Sequence, residues 1–395
     1  MNKFKPDQMV KCCNNIERGV RFDKRGVGVC CCSTKSSPCI ITNEEMASGK
    51  VDYDFILKRR HELLECVNGQ NNKWDVSSCL ECELLKEKRY KDIDLSYLGG
   101  QNMCSGFNIA HFSSCNLKCI YCDYASIDKE TNNKYSNIIE FIEEYSKRGK
   151  LIKDSNVDYN GGEPTLLKDF EKILNYLIKS QIKNITLYSN CVKYSPAIYN
   201  ALKYDKIALI TSPDSALPST FKRVKTMDSY RKVWDNIVRY RNSGTSRLIV
   251  KYVITDENRS DDDLYAFATA AAALGPKVTI GICPAYPLGN IEIPAETVEF
   301  GAKLYYALEK YTGKAPLLFS DYATADIKFA NYSRDVRKLV NKLKDDRPIS
   351  YEFYNLNQAP IDANYCAKES IIVKFEKLYC KIKKFLKYLI YTMKN

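Results

Sequence analysis

Short runs rich in β-branched and aromatic residues alternate with helical patterns between residues 101 and about 315. This alternation limits the possible folds more than any other feature of the sequence. Successive β–α units give parallel strands joined by right-handed crossovers. The sequence predicts an α/β fold whose sheet is open or curled into a barrel, with ligands at the carboxyl ends of the strands. Six segments are predicted to be strands: 105–112, 156–162, 184–190, 207–212, 247–255 and 277–283.

A cysteine motif directly follows the first predicted strand. Its residues, Cys115, Cys119 and Cys122, have the spacing CxxxCxxC. Three thiolates on one short loop can ligate three irons of a [4Fe–4S] cluster and leave the fourth iron open for the amino and carboxylate groups of S-adenosylmethionine. The alternative is a zinc or structural site, which usually needs a fourth nearby ligand. The motif therefore predicts a catalytic cluster on these three cysteines.

The cysteine motif, together with the NGGEP sequence at residues 160–164, resembles the radical S-adenosylmethionine (SAM) superfamily. The resemblance covers roughly residues 105 to 285 and implies a partial (β/α)6 TIM-like barrel as the core, over residues 101–315. It implies that the backbone of Tyr121 lies near the adenine, that Glu163 accepts hydrogen bonds from the methionine ammonium, and that Asp214 lies near the ribose. The full set of SAM contacts that it implies is Tyr121, Gly161, Gly162, Glu163, Ser189, Ser212 and Asp214.

Residues 1–100 contain nine of the seventeen cysteines and are predicted to form a small module. Residues 20–31 read as a hairpin that brings Cys13 near Cys31, and Cys79 and Cys82 form a CxxC turn. This set of four resembles the SPASM and twitch modules, which normally follow the barrel rather than precede it. The resemblance implies a second [4Fe–4S] cluster that accepts an electron or orients the substrate. A four-cysteine zinc site and an unfilled cysteine-rich segment are alternatives. Cys30 and Cys31 point to opposite faces of the strand, and Cys31 is the one that fits the spacing. The other cysteines that could serve as ligands are Cys12, Cys30, Cys32, Cys39 and Cys66.

Composition indicates the compartment in which such a chain is found and the classes of ligand and partner that it binds. Seventeen cysteines, only two histidines and no apolar signal-peptide core near the N-terminus predict a cytoplasmic protein that ligates metal or clusters. No run of about eighteen apolar residues predicts a transmembrane helix. The net charge of +12 fits a nucleic-acid binder, a membrane-surface protein or a basic enzyme, but no array of basic and aromatic residues argues for nucleic acid.

Residues 316–395 are predicted to form an extension that is polar and irregular before it ends in a basic amphipathic helix. Lysines occupy one face of that helix. Such a helix suits an anionic membrane surface or an acidic groove of a partner, or it docks on its own domain. The sequence thus predicts possible peripheral membrane contact through residues 371–391. The apolar face is formed by Ile371, Phe375, Leu378, Ile382, Phe385 and Leu389.

Taken with the resemblance, these features predict a radical SAM enzyme that cleaves SAM reductively and abstracts hydrogen from a peptide or protein. Such a reaction implies a reductant of the flavodoxin or ferredoxin type. One alternative is the oxidation or epimerisation of a sugar in a polysaccharide pathway. Another is a non-catalytic iron–sulfur or zinc protein that binds a partner.

Overall fold

The computed structural model describes residues 3–30, 37–82, 84–101, 106–122, 137–285, 293–319 and 327–346, with only the backbone for residues 327–330 and 346. The strands are β1 (Met9–Cys12), β2 (Val20–Asp23), β3 (Gly26–Gly28), β4 (Cys39–Thr42), β5 (Lys86–Arg89), β6 (Phe107–Ile109), β7 (Asn156–Tyr159), β8 (Asn184–Tyr188), β9 (Ile207–Thr211), β10 (Leu248–Ile254), β11 (Thr279–Pro284) and β12 (Leu317–Leu318). The helices are α1 (Asn14–Arg18), α2 (Asn43–Ala47), α3 (Tyr53–Val67), α4 (Ser77–Leu80), α5 (Ile138–Ser146), α6 (Phe170–Lys179), α7 (Pro196–Lys203), α8 (Pro218–Lys225), α9 (Tyr230–Arg241), α10 (Asp261–Ala273), α11 (Ala295–Thr312) and α12 (Ile327–Asp346).

The core of the molecule is a ten-stranded sheet in the order β12-β11-β10-β9-β8-β7-β6-β2-β3-β4. Strands β6 to β11 pair in parallel, each with the next along the chain. This confirms the six strands and the partial TIM-like barrel predicted from the sequence. The two ends of the sheet, β12 and β4, do not pair with each other in the described structure, so the sheet is not closed.

The two faces of the sheet differ in polarity. Phe22 of β2 packs its ring edge-on against Phe141 of α5, with centroids 5.3 Å apart, so its face of the sheet lies under the helices. Side chains alternate along a strand, and the residues between these apolar positions face the other way. One register row of that inner face contains Arg21, Asn108 and Asp158. The inner face therefore carries polar side chains toward the space that the curved sheet surrounds.

The N-terminal residues extend the barrel sheet. The predicted hairpin is present as β2 and β3, which pair antiparallel, and β2 also pairs in parallel with β6. Arg60 of α3 is buried and links the two parts of the chain. Its guanidinium donates to the carbonyl oxygens of Ile16 and Gly19, at 2.9 and 2.7 Å, and to the hydroxyl of Tyr145 in α5 at 3.2 Å. Residues 1–100 are thus joined to the core by both strand pairing and a buried arginine.

Two long helices, α3 and α12, lie where the sequence predicts no regular structure. The fifteen-residue α3 has its buried face interrupted by Arg60, which hides the apolar periodicity. Helix α12 lies in the segment predicted to be irregular, and it packs on α11, where the ring of Tyr332 lies over Gly301. The predicted helix at 371–391 lies outside the described residues. Within the described chain, none of the helices is both long and apolar enough to cross a membrane.

Candidate cofactor site

The cysteine loop, residues 111–122, begins at the carboxyl end of β6. Within it the backbone N–H of Cys122 donates to the carbonyl of Cys119 at 3.1 Å, which closes a tight turn between the two. The backbone N–H of Leu117 and the side-chain amide of Asn190 each donate to Sγ of Cys115 at 3.4 Å. The three thiols predicted to be cluster ligands therefore share one compact loop, and one sulfur receives hydrogen bonds from two directions.

The surroundings of Cys115 disfavour a free thiolate. Burial, together with the charges of Glu163 and Cys119, raises the pKa of Cys115 to about 11, although the two N–H donors oppose the shift. A bound metal centre converts such a thiol to the thiolate. In the described part of the chain, no three Cys, His, Asp or Glu side chains are arranged to hold a single metal ion. A [4Fe–4S] cluster is a larger body than one ion and takes thiolate donors, three of which the cysteine loop would supply.

The glycine pair predicted from the sequence lies against the cysteine loop. The N–H of Gly162 donates to the carbonyl of Phe112 at 2.5 Å, and that of Glu163 donates to the carbonyl of Ser114 at 2.8 Å. A Cβ atom on Gly162 would lie 2.3 Å from the oxygen of Ser114, and one on Gly161 would lie 2.6 Å from the oxygen of Phe112. Because these contacts are with backbone, no side chain can be accommodated. The glycines are needed for the close approach of the cysteine loop to the end of β7.

The other side of the cysteine loop rests on the end of α8. The N–H groups of Lys118 and Ile120 donate to the carbonyls of Lys225 and Val224, at 3.2 and 3.0 Å. The hydroxyl of Thr226 donates back to the carbonyl of Lys118 at 2.8 Å. The loop is therefore held by backbone hydrogen bonds on both sides.

Glu163 is buried and heavily hydrogen-bonded. Its Oε1 accepts from the N–H and hydroxyl of Thr165, at 3.1 and 2.6 Å, and from the hydroxyl of Ser189 at 2.9 Å. Its Oε2 accepts from the N–H of Asn190 at 2.7 Å. Burial raises the pKa of Glu163, and these hydrogen bonds oppose the shift. With a single donor, Oε2 retains capacity for another, such as an ammonium group.

Tyr121, Asp214 and Lys225 form a buried polar cluster beneath the cysteine loop. Oδ2 of Asp214 accepts from both the Tyr121 hydroxyl and the Lys225 ammonium, and Oδ1 accepts from the N–H of Val253 at 2.8 Å. The ammonium of Lys225 also donates to the Tyr121 hydroxyl at 2.7 Å. The side chains of Lys225 and Asp214 are 3% and 0% exposed. Asp214, which we expect near the ribose, is thus bound within the protein in this structure.

The charge state of this cluster follows from its geometry. Burial raises the pKa of Asp214, while Lys225, Tyr121 and the N–H of Val253 oppose the shift. Burial alone would lower the pKa of Lys225, but the negative charges of Asp214 and Cys119 outweigh it, and the pKa is raised. Lys225 is therefore a buried cation that interacts electrostatically with Cys119, one of the proposed cluster ligands.

Lys225 is a site residue that sequence reasoning missed. It lies on the buried stripe of α8 with Phe221 and Val224, at helical spacing. A lysine in an apolar stripe signals a buried charge with a specific partner, because a lone buried ammonium is costly. The lysine and its apolar neighbours can be recognised in the sequence, but the residue that pairs with Lys225 cannot.

Three further polar residues near the strand ends have different roles. Ser212 is half-buried directly after β9. Asn258 is buried and donates to the carbonyls of Asp214 and Val253, at 2.8 and 2.9 Å, so it holds the backbone of the polar cluster. Lys251 of β10 is buried, and its charge lowers the pKa of Lys225. These residues support the site or add positive charge to it.

Unusual backbone conformations concentrate at this edge of the sheet. Cys191, Asp214 and Thr226 have φ angles of 59°, 58° and 56°. This left-handed region is uncommon for residues other than glycine and persists where the surroundings impose it. The loops after β8 and β9 and the end of α8 are thus held in defined conformations around the site.

The N-terminal cysteines lie apart from this site. Cys13, Cys79 and Cys82 are described and lie near one another, and Cys30 lies among them. Cys31, the predicted fourth ligand, lies outside the described residues.

Residues 109–268 match the Radical SAM superfamily. A GTP 3′,8-cyclase of Clostridium botulinum is 24% identical over 196 residues, which are 48% of this chain and 56% of that protein. A cysteine-type anaerobic sulfatase-maturating enzyme of Clostridium perfringens is 37% identical over 86 residues, 20% of this chain and 23% of that enzyme. The chain thus spans about half the length, or less, of these curated relatives.

Solved structures with a similar arrangement include Streptococcus suis SuiB bound to its precursor peptide SuiA. The two chains have a TM-score of 0.44 and 13% identity, over 82% of this chain and 74% of that one.

The matched segment contains the cysteine loop, the glycine pair and the polar cluster, all at the carboxyl edge of one parallel sheet. Residues 109–268 of the chain therefore belong to a radical SAM domain.

Proposed function

We propose that this enzyme holds its catalytic cluster on Cys115, Cys119 and Cys122 and abstracts hydrogen from a peptide or protein substrate. The observation that carries the proposal is the cysteine loop itself. It is held between the glycine pair and the end of α8, with hydrogen bonds to Sγ of Cys115. Such support favours a defined conformation of the loop before a cofactor binds.

The bound cofactors supply a 5′-deoxyadenosyl radical through reductive cleavage of SAM. The residues of the chain position the cofactors and provide charged groups that bind them. The free capacity of Glu163 Oε2 suits the methionine ammonium, and the buried ammonium of Lys225 suits a carboxylate. Since Lys225 is paired with Asp214, a carboxylate that reaches it would share or displace that partner. Tyr121, Gly161, Gly162, Ser189, Ser212 and Asp214 remain proposed members of the SAM site.

A peptide or protein is the substrate class that we favour. An open sheet with a polar inner face leaves lateral room for an extended chain, and one curated relative is named for the maturation of a protein. Another relative is named for GTP, so the relatives do not agree on a substrate class. The oxidation or epimerisation of a sugar remains the alternative from the sequence.

Two further partners remain proposals. An electron must reach the cluster, and we propose a flavodoxin or ferredoxin as its donor. We also propose that residues 371–391 contact an anionic membrane surface, which their alternation of apolar residues and lysines supports.

The test is the formation of 5′-deoxyadenosine from SAM by the anaerobically reconstituted chain with a reductant. We expect formation by the wild type and by Cys39→Ala, which removes a half-buried thiol elsewhere. We expect none from a variant with Cys115, Cys119 and Cys122 all changed to Ala. Product formation by the triple variant would refute the assignment. A peptide substrate should raise the yield and acquire a mass change, whereas an effect of sugars or nucleotides alone would refute the substrate class.

A further inference from the structure

One row of side chains crosses the inner face of five neighbouring strands, β2, β6, β7, β8 and β9. The residues in register along it are Arg21, Asn108, Asp158, Thr186 and Ala208. All except the arginine are only half-buried, whereas the residues on either side of each one in its strand are buried. Barrels of this shape usually fill their interior with branched apolar side chains. A polar and partly exposed row indicates instead that the interior can receive a ligand.

Arg21 brings a buried cation to this row from the N-terminal hairpin. It is 6% exposed, and its Nε atom has no hydrogen-bond partner in the described structure. Its one ion pair within the described residues is with Asp23, whose Oδ2 lies 3.4 Å from Nε. A buried charge is costly unless it is both paired and hydrogen-bonded. The charge of Arg21 is therefore only partly satisfied by these residues.

Asp23 is already engaged by a second arginine. Its Oδ1 accepts from the backbone N–H and Nε of Arg25, at 2.9 and 3.2 Å, and its Oδ2 accepts from Nη2 of Arg25 at 2.7 Å. Such a bidentate pair is a strong form of ion pair between these groups. Among these three residues, two guanidinium groups share one carboxylate, so one positive charge is in excess. The excess falls on Arg21, because its contact with Asp23 is longer and lacks a hydrogen bond.

This arginine lies just below the proposed SAM site. Strand β2 runs parallel to β6, and the N–H of Ala110 at the end of β6 donates to the carbonyl of Phe22 at 2.8 Å. Ala110 lies against the glycine pair, because a Cβ atom on Gly161 would lie 3.3 Å from its Cα. Arg21 is in register with Asn108, two residues before Ala110, which corresponds to about 7 Å along the strand. A group held by Arg21 would therefore lie inside the barrel, close to the SAM site.

We propose that Arg21 binds a carboxylate of the substrate inside the barrel, either an acidic side chain or the C-terminal carboxylate of a peptide. This inference deepens the proposed function and rests on its choice of a peptide substrate. A planar guanidinium matches a carboxylate in a bidentate geometry, and the charge of the ligand neutralises the excess on Arg21. The amide of Asn108, the next residue of the row, can donate to the same ligand. Asp158, one strand further, suits an N–H group of the same substrate.

The first test compares two buried arginines by thermal melts of the full-length, anaerobically reconstituted chain. Arg21→Gln should melt at the same temperature as the wild type or higher, because Asp23 keeps Arg25 and a partly satisfied buried charge is removed. Arg60→Gln is the matched control and should melt distinctly lower, because the guanidinium of Arg60 is fully hydrogen-bonded within the fold. An Arg21→Gln protein as unstable as Arg60→Gln, or one that does not fold, would show that Arg21 is structural and would refute the proposal.

The second test adds small probes at matched ionic strength. N-acetyl-L-glutamic acid α-amide carries a side-chain carboxylate, N-acetyl-L-glutamine carries a terminal carboxylate, and N-acetyl-L-glutamine amide carries none. We expect one or both carboxylates to raise the melting temperature of the wild type by about 1–3 °C at roughly ten times the dissociation constant, and the neutral amide to have no effect. The carboxylate that acts identifies its source in a peptide. Arg21→Gln should show no rise.

No rise with either carboxylate, an equal rise in Arg21→Gln, or a rise with inorganic phosphate alone would refute the proposal. These melts require neither SAM nor a radical, whereas the proposed function is decided by the formation of 5′-deoxyadenosine. The two can therefore fail separately.

Discussion

At the scale of single residues, the site is built from buried charges that satisfy one another. Asp214 and Lys225 are both buried, and their ion pair is completed by Tyr121 and by a backbone N–H. A buried ion pair adds little net stability, whereas the removal of one partner leaves the other as an unpaired buried charge and destabilises the fold. The ion pair therefore contributes more to the position and charge of the groups beside the cysteine loop than to the stability of the fold.

The ion pair can be tested by a double-mutant cycle. Lys225→Met should lower the free energy of unfolding by roughly 3–5 kcal/mol, because Asp214 is left as an unpaired buried carboxylate. Lys225→Met/Asp214→Asn should lose distinctly less, since no charge remains to be stranded. Anaerobic urea denaturation followed by circular dichroism measures both. Equal losses in the single and the double variant would show that the pair is not coupled.

His111 makes stability depend on pH. Burial lowers its pKa from 6.5 to about 4, so the folded chain keeps the imidazole neutral while the unfolded chain accepts a proton near its usual pKa. The free energy of unfolding should therefore fall as the pH drops below about 6.5, by about 1 kcal/mol at pH 5.5. Thermal melts at pH 7.5 and 5.5 measure this change. His111→Gln should show a smaller change, and an identical change in both proteins would contradict the assignment.

At the scale of elements, the cysteine loop depends on what lies beside it. The loop forms no helix or strand in its described part, and its conformation is set by hydrogen bonds to the glycine pair and to the end of α8. Helix α8 is short, but it supplies both the backbone acceptors and Lys225. Helix α8 and the end of β7 therefore form the support for the proposed cluster.

Gly162→Ala should displace the cysteine loop. The added methyl group would lie 2.3 Å from a backbone oxygen that cannot move without the loop. We expect a loss of the iron bound by the first cluster and of 5′-deoxyadenosine formation, measured on the reconstituted chain. Gly149→Ala is the matched control, because a Cβ there meets nothing within 4 Å and costs only about 1–2 kcal/mol of backbone strain at φ 66°. Normal iron content in Gly162→Ala would refute this role.

At the scale of the whole molecule, one sheet connects both ends of the described chain. Strands β2 to β4 extend it on one side and β12 on the other, and Arg60 joins the N-terminal helices to the barrel. The proposed SAM site thus lies at the edge of a sheet that also contains the N-terminal strands β2 to β4. These N-terminal strands are coupled to the barrel through the backbone pairing of β2 with β6.

Removal of the basic segment at 371–391 should leave catalysis unchanged, because the residues of the proposed SAM site lie between 115 and 214, with Lys225 close by. We expect the full chain to co-sediment with vesicles that contain anionic lipid, and binding to weaken at high salt. A chain that ends at Asp346 should no longer co-sediment yet should form 5′-deoxyadenosine at an unchanged rate. Equal sedimentation of both chains would exclude this segment as the contact.

The sequence by itself was enough to predict the six parallel strands and the hairpin that β2 and β3 form, and its resemblance to the radical SAM superfamily predicted that domain. These are local signals: apolar periodicity, turn residues and cysteines at short spacing are read without knowledge of the fold. The same locality explains why the glycine pair was recognised as a place of close backbone approach. Helix α3 was missed because Arg60 interrupts its apolar stripe, and the partners that bury that arginine lie far away in the sequence.

Only the tertiary structure decided which distant residues meet. Lys225 contacts Asp214 and Tyr121 because a helix end, a strand end and the cysteine loop converge, and no local pattern encodes that convergence. Cys13 lies near Cys79 and Cys82 because β1 pairs with β5, which is distant from it in the sequence. The continuity of the N-terminal strands with the barrel follows from β2 pairing in parallel with β6, another contact between distant segments.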